Sequence, residues 1–131
     1  MEEIRLATDR RTQLIEITDH VRAASDGARG SALLVYVPHT TAGVTINERI
    51  DPELVQDLEA AFEKIVDDRW GWRHDDADGP NGPSHGRASV VGPQVLVPLR
   101  DGTLGLGTYQ GIFFCEFDGP RERKVLVTPL H

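Results

Sequence analysis

The sequence predicts a mixed α and β chain, rich in strands and carrying one principal helix. Three observations lead there: short aliphatic and β-branched runs bounded by Asp, Gly and Pro, a helix start marked three ways at Asp51-Pro52-Glu53, and a final third in which strand signals follow one another. At 131 residues the chain has the length of one domain, 1–131. Such a domain buries roughly 65 to 70 % of the surface its unfolded chain exposes and needs no metal or disulfide to hold it together.

The first strand signal runs from Arg11 to Ile17, and a second from Ser31 to Val37. Between them, Thr18 to Gly27 reads as a short helix with Thr18 or Asp19 as its cap and Gly27 as its stop. Leu33-Leu34-Val35-Tyr36-Val37 is apolar on both faces, which predicts a central, doubly buried strand. At Asp51-Pro52-Glu53 an Asp cap, a Pro at the first helical position and a first-turn Glu coincide. Leu54, Val55, Leu58, Ala61, Phe62 and Ile65 then recur at helical spacing, predicting a stripe packed on a sheet. Asp67 to Pro83 is a polar, Gly/Pro-rich loop holding Trp70, Trp72 and His74, a composition that favours an ordered, functional loop. Ser84 is placed to cap a short helix through Val91. Strands follow at Val95 to Leu99, Thr103 to Thr108, Ile112 to Asp118 and Lys124 to Thr128, with a turn at Asp101-Gly102.

A formal charge of −7 argues against a nucleic-acid partner, because that affinity comes mainly from Lys and Arg neutralising phosphates. The single cysteine, Cys115, permits no intrachain disulfide, and no segment approaches the roughly 20 apolar residues of a membrane span. The expectation is a soluble, cytoplasmic protein. No dinucleotide fingerprint, P-loop or nucleophile elbow is present.

The polar residues that can carry chemistry gather in three segments, His39 to Glu48, His74 to His85, and the strand ending at Glu116. His39, His74 and His85 would make three neutral imidazoles, the ligand set of an open catalytic metal site. The alternative is solvent-facing loop histidines. Asp75, Asp76 and Asp78 either orient such ligands from behind or form a solvated turn. Thr40 and Thr41 offer donors to an anionic ligand, while Glu48, just before the helix, is either a catalytic acid or a surface one. Glu116 shares its strand face with Ile112 and Phe114, so it is either an acid/base group on an apolar surface or the partner of Arg121 or Arg123. Cys115 points with Phe113 and Phe117 and reads as a buried thiol. Gly105 and Gly107 share a strand face and leave a bare strip for a ligand or another backbone. Trp70 and Trp72 read as cover for a core edge or a subunit contact.

Taken together, HTTAGVTINE, the loop ending Pro83-Ser84-His85, the Asp-Pro helix and the stretch GTLGLGTYQGIFFCEFDGPR closely resemble the YjbQ family, also called UPF0047, nearly end to end. Tyr109 stands where the strand motif often has Trp. The resemblance implies an α+β fold, mainly an antiparallel β-sandwich with one principal helix and short helices, assembled as a homotrimer. It implies a divalent metal, zinc or another transition metal or else magnesium, on His39, His74 and His85. Glu48, Asn47, Gln110 and Glu116 occupy its matching polar positions. A secondary thiamine-phosphate synthase activity is attributed to the family. In that reaction Arg121 and the metal would neutralise the leaving phosphate, Glu48 or Glu116 would handle a proton, and Thr40, Thr41, Asn47 and Gln110 would hold substrate. The rival expectation is a metal- or metabolite-binding module in which catalysis is a side reaction. A third makes the histidines structural at a trimer interface.

Overall fold

A computed structural model describes residues 1–74 and 79–131, so the expectations for Asp75, Asp76 and Asp78 lie outside the described residues. The elements in chain order are β1 (Glu2–Ala7), β2 (Gln13–Glu16), α1 (Thr18–Ala24), β3 (Ala32–Tyr36), β4 (Ala42–Glu48), α2 (Pro52–Ile65), α3 (Gly82–Val91), β5 (Gln94–Arg100), β6 (Thr103–Leu104), β7 (Gln110–Glu116) and β8 (Glu122–Leu130). All strand pairs are antiparallel. One sheet has the order β1-β8-β3-β5-β6, the other β2-β7-β4. Among the described residues no helix is long and apolar enough to cross a membrane.

The two sheets face each other. Leu33, Val35, Val97, Val125 and Val127 from the first meet Val44, Ile112 and Phe114 from the second in one buried cluster, the alternating inward residues of a sandwich. The opposite face of the smaller sheet is covered too. Leu14, Phe113 and Cys115 pack there with Phe117, with Val55, Leu58 and Phe62 of α2, and with Ala88 and Val91 of α3. The doubly buried strand is therefore β7, in which every residue after Gln110 is buried, and not β3. β3 is central in its sheet, as its run of apolar residues suggests, but Tyr36 at its end is exposed and Leu34 only half-buried. An apolar run alone cannot distinguish a strand covered on both sides from one covered on one side.

Asp51 caps α2 as its residue type requires, its carboxylate accepting the Glu53 N–H at 2.9 Å. The predicted stripe is half-buried in its middle and ends in an exposed Ile65. The most buried residue of α2 is instead Glu59, which takes Arg10 through two 3.0 Å bonds and the Leu14 N–H at 2.8 Å. In α1 the capping position is Ile17 and neither Thr18 nor Asp19. Thr18 Oγ1 accepts the Ile112 N–H at 2.9 Å, so a sheet contact uses the oxygen a cap would need. α3 starts two residues before Ser84, at Gly82, and Ser84 Oγ donates to Phe117 O at 2.5 Å. The strand expected over Thr103 to Thr108 shrinks to Thr103–Leu104. Gly105 lies against Pro98, where an added Cβ would come within 2.9 Å of its carbonyl oxygen, so here the bare strip serves a backbone. β1 gives only a weak sequence signal, because charged Glu2, Glu3 and Arg5 surround Ile4 and Leu6. Register with β8 from Glu2↔Val127 to Ala7↔Glu122 makes it a strand.

Candidate functional site

His39 sits in the turn between β3 and β4, and its Nε2 accepts the backbone N–H of Lys124 at 3.0 Å. That bond assigns the neutral tautomer with the proton on Nδ1. Partial burial, and after it the nearby Arg123 cation, hold the imidazole below its usual value. His39, Arg5, Glu122, Arg123 and Lys124 line a cleft of about 480 Å³, with Leu6 and Ala7 completing the wall. In the β1–β8 register Arg5 lies opposite Lys124 and Leu6 opposite Arg123. Three cations and one carboxylate line this cleft in a chain of net charge −7, with Glu3 and Glu116 pairing with those cations from beside and behind it, and Lys124 is one of only two lysines. Glu3 lies next to the cleft, 3.0 Å from Arg5 Nη2 and 4.0 Å from Lys124 Nζ.

Behind this cleft lies the buried pair Glu116 and Arg123. Arg123 Nε donates to Oε1 at 2.8 Å and Nη2 to Oε2 at 2.5 Å. Thr8 Oγ1 donates to Oε1 at 2.8 Å, and the N–H groups of Phe117 and Asp118 donate to Oε2 at 3.1 and 3.0 Å. Five donors on a fully buried carboxylate occupy the lone pairs a proton acceptor would need. Glu116 is thus the partner of Arg123, one of the alternatives its position leaves open, and its free acid/base reading is corrected. Thr41 is buried, and its Oγ1 accepts from Arg123 Nη2 at 2.8 Å, which makes it a support for Arg123.

The other residues singled out from sequence disperse. Thr40 is exposed and makes no side-chain hydrogen bond among the described residues. Asn47 Oδ1 accepts the Glu48 N–H at 2.7 Å, and the half-buried Glu48 carboxylate has no hydrogen-bond partner among the described residues. Gln110 is the Cα partner of Glu48 and closes a turn, its Oε1 accepting the Gly107 N–H at 2.8 Å. Arg121 is tied to Asp118, donating to its carbonyl and to Oδ2, both at 2.7 Å.

His74 and His85 do meet, ring edge against ring face with centroids 4.8 Å apart, at a shallow apolar pocket of about 150 Å³ that Trp72 and Gly82 complete. His39 lines a different cleft. Among the described residues no three of His, Cys, Asp and Glu converge as a metal would require. The Nε2 lone pair of His39 is already used by Lys124, and its Nδ1 carries the proton, so the three-histidine set does not fit one centre within this chain. His74 and His85 alone offer two imidazoles.

Lys124, Arg5 and Thr8 were not singled out from sequence, and Arg123 was named there only as a partner for Glu116. The signal present was the basic run Arg121 to Lys124 after Gly119-Pro120, in which strand alternation turns Arg123 inward and Lys124 outward.

A two-sheet antiparallel sandwich with helices over the smaller sheet and a histidine–arginine cleft beside its β1–β8 ladder defines the class of fold. The family model described as UPF0047 protein YjbQ-like matches residues 2–131, and the chain belongs to that family. A UPF0047 protein of Archaeoglobus fulgidus is 42% identical over 128 residues, 98% of this chain and 99% of that protein. The UPF0047 protein YugU of Bacillus subtilis is 40% identical over 132 residues, 97% of this chain and 96% of its own. A crystal structure of an uncharacterized conserved protein of the same family from Clostridium acetobutylicum superposes with a TM-score of 0.89 at 40% identity, covering 98% of each chain.

Proposed function

We propose that this protein binds a phosphorylated small molecule in the His39 cleft and acts on it as a group-transfer enzyme, with secondary thiamine-phosphate synthase activity as its candidate chemistry. The observation that carries this reading is the concentration of Arg5, Arg123 and Lys124 around a neutral histidine in a chain of net charge −7. In that reaction the ring nitrogen of a thiazole phosphate forms a bond to the methylene carbon of a pyrimidine methyl pyrophosphate. The carbon–oxygen bond breaks, and pyrophosphate leaves with the electron pair. No proton has to be removed to form the thiazolium product, so the site needs stabilisation of the leaving charge more than a general base. That demand agrees with a cleft of cations and a Glu116 fully engaged in hydrogen bonds.

A steady-state assay of pyrophosphate release from the two phosphorylated precursors tests the reading, with Lys124→Ala as the cleft variant. Turnover that falls in the variant supports it. Binding of pyrophosphate without turnover supports the second reading, a metal- or metabolite-binding module whose synthase activity is a side reaction.

The contact between His74 and His85 is what favours a metal in that second reading. A divalent cation there, zinc, another transition metal or magnesium, would supply Lewis acidity, and His74 and His85 would give two of its ligands. Metal content per chain by mass spectrometry, in the wild type and in His74→Ala and His85→Ala, tests it. Near-stoichiometric metal lost in both variants supports the site, and protein that takes up no added metal overturns it. A homotrimer is the assembly we propose. Its support is the uncovered outer face of the larger sheet, where Leu34 lies opposite Leu96 and Tyr36 opposite Leu126. Light scattering on the eluted protein checks the mass.

A further inference from the structure

The Arg123 side chain is 5% exposed, yet it lines the cleft. Two of its three nitrogens are committed, Nε and Nη2 to Glu116, with Nη2 also on Thr41. Nη1 has no hydrogen-bond partner among the described residues and is not sealed from solvent. A guanidinium so clamped presents one nitrogen, with its two charge-assisted N–H donors, in a fixed direction, and its ordering cost is met during folding.

We infer that Arg123 Nη1 grips a non-bridging oxygen of a phosphate or pyrophosphate group in the cleft, and that Glu116 and Thr8 are positioning residues which hold the guanidinium for that contact. The inference rests on the proposed reading of the cleft as a phosphate site. His39 and Lys124 line the same cleft and would meet other oxygens of the ligand. The ligand class follows from the competing carboxylates. Glu3 is within 4.0 Å of Lys124 and 3.0 Å of Arg5, and Glu122 lines the cleft, so a monocarboxylate would only exchange with groups the protein already supplies. A phosphate group carries about −1.5 to −2 charges at neutral pH and draws Lys124 away from Glu3.

Thr8 adds a device of its own. Its hydroxyl donates to Glu116 at 2.8 Å and accepts the Arg121 N–H at 2.9 Å, tying the segment after β1 to the segment before β8. The guanidinium is thereby fixed by Glu116 of β7 and by Thr41 just before β4, with Thr8, just after β1, holding Glu116.

The test is titration of the full chain with sodium pyrophosphate, followed through the side-chain resonances of ¹⁵N-labelled arginine, with sodium acetate as the control anion. The expected result is a saturable shift of the Arg123 guanidinium signals with pyrophosphate and none with acetate. Calorimetry is expected to give about ten- to hundredfold weaker binding in Arg123→Lys, whose ammonium is drawn to Glu116. Thr8→Val weakens binding and Thr8→Ser restores it, a rescue that separates positioning from mere folding. Pyrophosphate binding that leaves the Arg123 signals unmoved, is undiminished in Arg123→Lys and is weakened in Lys124→Ala overturns the assignment of Arg123 and leaves the cleft reading standing. Absence of any pyrophosphate binding by the wild-type chain overturns both. The wild-type resonances decide the matter even where a variant fails to fold.

Discussion

Glu116 at the end of β7 and Arg123 near the start of β8 belong to different sheets and are joined by two contacts, 2.8 and 2.5 Å long. The pair spans the point where the chain leaves the smaller sheet for the larger one. Glu116→Ala leaves a buried guanidinium without its counter-charge, and a loss of about 3–5 kcal/mol is expected. Urea unfolding measures it. Replacing both partners by apolar side chains, as in Glu116→Leu with Arg123→Met, is expected to recover much of the loss, because the remaining defect is then packing and no longer an uncompensated charge. A double variant no more stable than Glu116→Ala would refute this account.

Trp72 lies on a groove made by Gly82 and Gly86 of α3, and its indole N–H donates to Asp67 O at 2.8 Å. A Cβ at Gly82 would come within 2.7 Å of the indole, and one at Gly86 within 3.1 Å. Gly82→Ala is expected to destabilise by about 1–3 kcal/mol and to displace the ring. At Gly86 the helix gains roughly 1 kcal/mol from Ala over Gly, which offsets the milder crowding, so Gly86→Ala is expected near neutral. Tryptophan emission in a Trp70→Phe background checks both, with a red shift expected for Gly82→Ala alone.

His39 is held below its ordinary value of about 6.5, first by burial and next by Arg123. Below about pH 6.5 the unfolded chain takes up a proton that folded His39 resists, so the unfolded state binds more protons and stability rises with pH. This contribution is complete above about pH 6.5 and is lost as pH falls through the depressed folded value. His39→Gln, whose carbonyl can still accept the Lys124 N–H, is expected to lose less stability on acidification. Parallel urea midpoints at about pH 5 and about pH 7.5 for both proteins give the comparison, and equal slopes would contradict it.

Cys115 is fully buried between β7 and the helices, and burial drives its thiol far above the ordinary range. The native protein is expected to resist a disulfide exchange reagent at about pH 8, where a free thiol reacts readily. In denaturant one thiol per chain reacts, matching the single cysteine. Rapid reaction of the folded chain would show that the packing around Phe113 and Phe117 opens.

Local chemistry determined much of this fold in advance. Asp51 caps α2 because an Asp before Pro-Glu satisfies a first-turn N–H whatever packs against the helix. The Asp101-Gly102 turn forms because both residues take positive φ, which their types tolerate. The motifs from His39 to Glu48 and from Gly102 to Arg121 marked the family, and the whole-chain match bears that out. Tertiary structure alone decided that β7 and not β3 is covered on both faces, since burial of a second face depends on where α2 and α3 settle. It also decided what the polar residues do. The Nε2 of His39 is engaged by a backbone N–H 85 positions away, Thr8 meets Glu116 across 108 positions, and His74 packs on His85. Sequence supplied the donors and acceptors, but which of them remained free for a ligand was settled by contacts between strands far apart in the chain.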